Sequence, residues 1–322
     1  MIHPMTPQPS GTLTNAASSA VSSAPASLSN ILRRAVFGSV GAMIAAVFLV
    51  FLCVIAVFGS VLSAWFGLDP HHTDLMARLG ASTAQNPLGT DPLGRDVLAR
   101  LIAGTKISMA IGLAGALCAA TLGCMIGLVA GFRGGVVDRL LMRLTDTVLA
   151  LPLLPLLIIV SAIDFTKIGL SADAVNSPSF GLYKMVAIIT VFAWPAAARL
   201  VRAGTLGAKE QLYVTAAHAL GATDIQVMIR HILPNVIAPL IVAATLAIGN
   251  IILLESSLSF LGLGIQPPTA SWGNMLQGAE DYIWDRPSLA LWPGLAIFAT
   301  VIAFNVLGDS LRQAYNPHSN KK

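Results

Sequence analysis

Six stretches of this chain carry no charged residue and are apolar for most of their length: 35–68, 107–132, 147–163, 185–198, 232–254 and 287–308. A run of that kind placed in hydrocarbon must satisfy every backbone N–H and C=O internally, which leaves the helix as its ordinary solution. A helical span needs roughly 20 residues, so the pattern predicts an all-α polytopic membrane protein with six transmembrane helices. The third and fourth spans are short. Uncharged residues at 174–183 lengthen the fourth, and Lys184 then falls near its outer end, where a lysine stem can snorkel. Hydrophobic residues make up 55% of the chain, charged residues 11%, and mean hydropathy is +0.76. A soluble protein of this length could not hide so much apolar surface.

Loops rich in lysine and arginine tend to stay in the cytoplasm, and this sets the expected orientation. With both termini inside, the inner segments hold twelve of the Lys and Arg residues and the outer segments seven. The bias also accounts for the net charge of +4, so no separate basic patch calls for nucleic acid. Residues 1–30 are uncharged apart from histidine and rich in Ser, Ala, Thr and Pro, the composition of a disordered cytoplasmic tail. Arg33-Arg34 stands where a twin-arginine export signal would, but the apolar run behind it is far longer than a signal's and reads as a retained anchor. Cys53, Cys118 and Cys124 fall inside the spans without metal-site spacing. The adjacent His71 and His72 form an exposed loop pair, and no metal is expected.

The most ordered polar segment lies between the fourth and fifth spans. Residues 213–235 read YVTAAHALGATDIQVMIRHILPN. The pattern predicts a helix over 209–220, a stop at Gly221, and a second short helix capped by Thr223 and running to Pro234. Ala216 and Ala217 leave one side thin enough to press into a partner's groove, while Arg230 and His231 keep the far side polar.

Inside the second span Gly115, Ala119, Gly123, Gly127 and Gly131 recur every four residues, the spacing that lets a second helix approach closely. Trp194-Pro195 should bend the fourth span or end its hydrogen-bond ladder. Glu255, followed by Ser256 and Ser257, ends the fifth apolar run. An acid at that depth must be paired, hydrated or protonated. It is either a gate or pathway group, together with Ser256, or a hydrogen-bonding clamp on the turn into LSFLGLG. Asp146 has Arg139 and Arg143 as possible local partners. The outer loop at 257–287 mixes turn formers with Trp272, Tyr282 and Trp284, which suits headgroup anchoring and also docking of a delivery protein. The loop at 69–106 is a second docking candidate.

Motifs for covalent chemistry are missing. Gly89 to Gly94 has the glycine spacing of a phosphate-binding loop, but Arg95-Asp96 replaces the Lys-Ser/Thr that the loop requires. H-E-x-x-H, G-x-S-x-G and G-x-G-x-x-G do not occur. The chain reads as a non-catalytic subunit that binds no cofactor itself.

Five segments carry a family resemblance: NPLGTDPLGRDVLARLIAGTKIS at 86–108, WPAAARLVRA at 194–203, the island at 213–235, ESSLSFLGLGIQPPTASWGNML at 255–276, and PGLAIFATVIAFNVLGDSLRQAYNP at 293–317. The chain resembles the second membrane-spanning subunit of dipeptide/oligopeptide ABC importers, in the permease superfamily whose cytoplasmic loop carries the EAA signature. The resemblance implies the type I importer permease fold and a bacterial cytoplasmic membrane location. It also implies a second permease subunit, one or two ATPase subunits that bind ATP and Mg, and an extracytoplasmic substrate-binding protein. The island becomes the coupling helix, with Thr215, Ala216, Ala217, Gly221, Ile232, Leu233 and Pro234 at signature positions and Tyr213, His218 and Arg230 flanking them. Thr215 replaces the signature's leading acid, and His218 stands where arginine is common; a lost rim contact is worth about 0–1 kcal/mol. The expected division is a tail at 1–30, the first span with its outer loop at 31–106, a five-helix core at 107–310 holding the coupling loop 203–235, and a cytoplasmic tail at 311–322. Peptide is the expected cargo. Family relatives for nickel or glutathione share the pattern, and a secondary transporter driven by an ion gradient is the alternative of a different class.

Overall fold

The structure, a computed structural model, describes residues 28–175 and 177–315, and among these every extended regular element is helical. We label the helices α1 (Leu28–Phe37), α2 (Val40–Trp65), α3 (Val97–Arg133), α4 (Gly135–Ala150), α5 (Leu153–Ser161), α6 (Pro178–Lys209), α7 (Leu212–Ala219), α8 (Asp224–Val227), α9 (Leu233–Phe260), α10 (Trp272–Leu276) and α11 (Ser288–Tyr315). Five continuous helices are long and apolar enough to cross a membrane, and α4 with α5 forms a sixth apolar element bent by 88°. The architecture is the all-α polytopic one that the apolar runs predict.

Several boundaries differ from the sequence reading, each for a local reason. Residues 1–27 lie outside the described set, and Leu28 to Asn30, read as the end of the tail, already belong to α1. The first apolar run is not one helix: Ser39 is extended and accepts the Ala42 N–H at 3.1 Å, which starts α2 afresh beyond α1. The third run breaks where Leu151, held extended ahead of Pro152, ends α4. What remains, α5, has nine residues and spans about 13 Å, too little to cross alone. Pro195 lies inside α6, and the helix neither ends nor is interrupted there. At the other terminus residues 311–315 still belong to α11, and 316–322 lie outside the described set.

The stripe of small residues explains how the bundle closes. A methyl group placed at Gly123 would stand 2.6 Å from the Trp194 carbonyl oxygen, at Gly127 2.5 Å from that of Ala198, and at Gly131 2.7 Å from Thr205 Cβ. The partner is therefore α6 of the same chain, running parallel to α3 in constant register. Ala119 is buried between these contacts, and Gly115 faces Ile251 of α9 as well as Ile189 of α6. Helix α9 runs antiparallel to α3, with Ile252 and Ile248 against Gly112. Close backbone approach gains dispersion contacts, which matter most where lipid offers no hydrophobic contrast.

These directions give the bundle two ends. One end gathers the loops at 66–96, 162–175 and 261–287; the other gathers Gly134, the island at 210–232 and the end of α11. A central core around Met109, Ile111, Met185, Ile251 and Ile252 lies between them.

Candidate functional site

The island starts where α6 stops at Lys209. After two intervening residues α7 begins, and it ends in a Schellman turn: the Gly221 N–H donates to the His218 carbonyl at 2.9 Å and the Ala222 N–H to that of Ala217 at 3.0 Å. Gly221 has φ +86°, a conformation that penalises side chains, and the space around it is open. Thr223 and Gln226 then form a reciprocal capping box that starts α8.

Sequence reasoning ends the second island helix at Pro234, whereas the structure runs it into the fifth span. Residues Met228–Ile232 form a π-turn, in which the Leu233 N–H reaches back to the Met228 carbonyl. Pro234 lacks an N–H, and its ring would press on the Arg230 carbonyl in a regular helix; widening the preceding turn relieves both. The elbow is thus joined to α9 by an unbroken helical path.

The island has a held side and an open side. Val214, Ala217, Val227 and Ile232 are buried against Val201, Ala208, Val236 and Phe132. Phe132, the penultimate residue of α3, is the anchor: Lys209 Nζ lies 5.4 Å from its ring centroid and donates to its carbonyl at 2.5 Å. The His218 ring stacks over the same phenyl at 6.2 Å. Asn235 of α9 donates to the Tyr213 hydroxyl at 3.0 Å and to the His231 carbonyl at 2.6 Å. On the open side Leu212 is 87% and Leu220 89% exposed, with Ile225 and Ile229 also outward.

The signature positions therefore split. Thr215, Ala216, Gly221 and Pro234 are exposed, as are Tyr213, His218 and Arg230; Leu233 is half-buried; Ala217 and Ile232 are buried. Ala217, read from sequence as part of a thin outward face, instead packs inward with Val214. Phe132, Lys209, Asn235, Leu212 and Leu220 were not picked out by sequence. For the two leucines a signal existed: placing Val214 and Ala217 inward at helical periodicity turns Leu212 and Leu220 outward.

Helix α4 flanks the island end and is clipped to α6. Arg202 Nη2 donates to Asp138 Oδ2 at 2.6 Å, and Arg199 pairs with Asp146 at 2.5 Å. The partner of Asp146 is thus on another helix, not the nearby Arg139 or Arg143. Lys184 is similarly redirected: half-buried, it donates to the Ser161 carbonyl at the end of α5 at 3.1 Å, where the helix dipole favours a cation.

Glu255 lies near the opposite end, fully buried within α9. Its carboxylate accepts from Ser259 at 2.7 Å, Ser108 of α3 at 3.3 Å and Ser256 at 3.4 Å. Each main donor is itself used as an acceptor: Ser259 Oγ takes the Ile265 N–H at 3.1 Å and Ser108 Oγ the Trp272 N–H at 3.1 Å. These contacts clamp the LSFLGLG turn and α10 onto α3. Ser256 is buried against Gly273, where an added methyl would fall 2.6 Å from the Ser256 Cα.

Residues 123–321 match the family described as "Binding-protein-dependent transport system inner membrane component". The chain is 37% identical over 270 residues to the "Nickel transport system permease protein NikC" of Escherichia coli (strain K12), covering 84% of this chain and 92% of the relative. It is 41% identical over 230 residues to the "Glutathione transport system permease protein GsiD" of Pectobacterium atrosepticum, covering 71% of this chain and 72% of the relative. The GsiD of Escherichia coli O6:K15:H31 is 38% identical over 276 residues, 86% of each chain. A multi-helix bundle with a family match across most of its helices has one reading: the chain belongs to the binding-protein-dependent transport system inner membrane component family.

Proposed function

We propose that this chain is one of two membrane-spanning subunits of an ATP-driven importer, that its island docks a cytoplasmic ATP-hydrolysing subunit, and that its cargo is a di- or oligopeptide. One observation carries the docking role: Leu212 and Leu220 stand almost fully exposed on a short helix whose opposite side is firmly anchored. Covering a leucine gains about 1.5–3 kcal/mol, so this rim favours a partner with an apolar groove. The lysine and arginine bias supports placing the island and both termini in the cytoplasm. ATP and Mg then belong to the partner ATPases, one or two in number. The loop end faces out, toward a substrate-binding protein, and a second permease subunit completes the path.

In this reading ATPase closure moves α7, and the Schellman elbow passes the movement to α8, the π-turn and α9, which form one connected helix. The bundle switches between two packed arrangements, each stabilised by a different ligand state. A second cargo reading, nickel or glutathione, is favoured by the names of the relatives.

A photo-crosslinker at Leu220 tests the docking role in cells. It should capture an ATP-binding subunit, and Gly221→Trp should sharply lower co-purification or coupled ATPase activity. Capture of lipid alone throughout the transport cycle, or of a protein on the outer side, defeats the proposal. Mass spectrometry of the ligand retained by the cognate binding protein separates peptide, glutathione and nickel.

A further inference from the structure

The glycine-spaced loop that fails as a nucleotide site folds instead around Asp91. Asp91 Oδ1 accepts the N–H groups of Leu93 at 2.8 Å and Arg95 at 3.0 Å, and Oδ2 accepts from Arg95 Nε at 2.7 Å. The carboxylate is thereby largely used. Arg100, in the first turn of α3, is only 3% exposed. Its Nε lies 3.6 Å from the same Asp91 Oδ2, and its Nη2 donates at 3.5 Å to Asn274 Oδ1, which already accepts the Ser271 N–H at 3.1 Å. Both distances sit at or past the limit of a useful hydrogen bond. Nη1 has no protein partner.

A guanidinium carries five donors in a fixed fork, and a buried one is normally matched by a carboxylate. Arg100 is one of the residues lining a cavity of about 310 Å³, together with Arg95, Asn274, Gln277, Asp281 and Tyr282. Such a space holds far more than one water.

We propose that this cavity is a carboxylate-binding site, with Arg100 as its principal ligand and Arg95 and Gln277 at its wall. Two arginines and two aspartates line it, so the site is close to neutral before loading and suits a single negative charge better than a phosphate dianion. The carboxylate comes either from a free acid or from an acidic side chain of the protein that docks on this end. The second source rests on the loop end being the outer face, as proposed above; the site itself does not.

The test uses the full chain with its partner subunits in lipid nanodiscs. Propionate, a carboxylate of glutamate side-chain size, is titrated against melting temperature at constant ionic strength, with chloride and inorganic phosphate as comparison anions. Propionate should give a saturable rise, with phosphate roughly tenfold weaker. Arg100→Gln should abolish the rise. Because Arg100 ties three segments together, a second variant at the exposed rim, Gln277→Glu, guards against misfolding. It should weaken propionate roughly tenfold and leave the ligand-free melting temperature unchanged. Affinity of the binding protein for the Gln277→Glu complex then identifies the source: a fall assigns the carboxylate to that protein, and no change assigns it to a free acid. A propionate response equal to that of chloride, or one undiminished in both variants, overturns the proposal whatever the docking measurement shows.

Discussion

The two ends of the bundle differ in the contacts that hold them. At the loop end a buried polar network of Glu255, Ser108, Ser259, Ser271 and Asn274 bonds the turns to one another, alongside apolar residues such as Leu258, Ile265 and Trp272. At the island end the holding contacts are mainly apolar, through Val201, Val214, Val227, Ile232 and Val236 with Thr205 buried nearby, and large apolar groups also stand exposed. Hydrogen bonds are directional, and a buried network such as that around Glu255 favours one arrangement. Apolar contact is not directional, and a segment held by it can shift and re-seat at small cost. The contrast assigns fixity to one end and adaptable docking to the other.

The largest expected effect comes from breaking the polar end. Glu255→Ala removes the acceptor shared by Ser108, Ser256 and Ser259 and leaves a cavity, for a loss of about 3 kcal/mol. Glu255→Gln keeps the shape and one acceptor oxygen and should lose about 1 kcal/mol. Melting of the nanodisc-embedded protein ranks the two. Equal, negligible losses would mean that the network does not hold this end.

Next in size is the elbow at the other end. Gly221→Val forces a β-branched residue to φ +86° and should cost about 1–2 kcal/mol, and Gly221→Asn, which tolerates that region, less. The space around Gly221 is open, so the cost is conformational. An equal loss for the two variants would point to a contact instead. Their coupled ATPase activities should fall in the same order.

Why some of this was legible in the sequence and some not follows from the reach of each interaction. Gly221 and Thr223 act within four residues of themselves, so their turn and cap could be read directly. The stripe at Gly115, Ala119, Gly123, Gly127 and Gly131 is also local, and it announced a close helix contact; only the identity of the partner needed three dimensions. Pairings across long separations left no trace: Arg199 reaches Asp146, Lys209 reaches Phe132, and Ser108 reaches Glu255. The bend before Pro152 was legible in principle, because the residue ahead of a proline avoids the helical region, but the uncharged run through it concealed the break. The π-turn ahead of Pro234 is likewise a proline effect, masked by the continuous helical pattern on both sides.

A smaller effect sharpens the comparison within the island. Thr223 caps α8 through a long bond from the Gln226 N–H, 3.4 Å, while the reciprocal bond from its own N–H is 2.9 Å. Thr223→Ala should therefore cost no more than about 1 kcal/mol, and Thr223→Ser should restore most of it. Hydrogen exchange at 224–228 reads the local opening even where the global melt hardly moves. Exchange unchanged in Thr223→Ala would show that the π-turn, and not the capping box, sets where the helix begins.

The smallest effect on the isolated chain is expected where the proposed function needs the largest one. Leu220 is 89% exposed and touches no core cluster, so Leu220→Ser should change stability by about 0.5 kcal/mol or less. If the rim is a docking surface, the same change removes an apolar anchor from the interface and should weaken ATPase association about tenfold. Leu212→Ser should behave alike, and the double variant more severely. A melting loss as large as that of Gly221→Val would place Leu220 in the elbow's own packing. Unchanged association at unchanged stability would mean that the open side of the island meets something other than the ATPase, and the division of labour between the two ends would have to be redrawn.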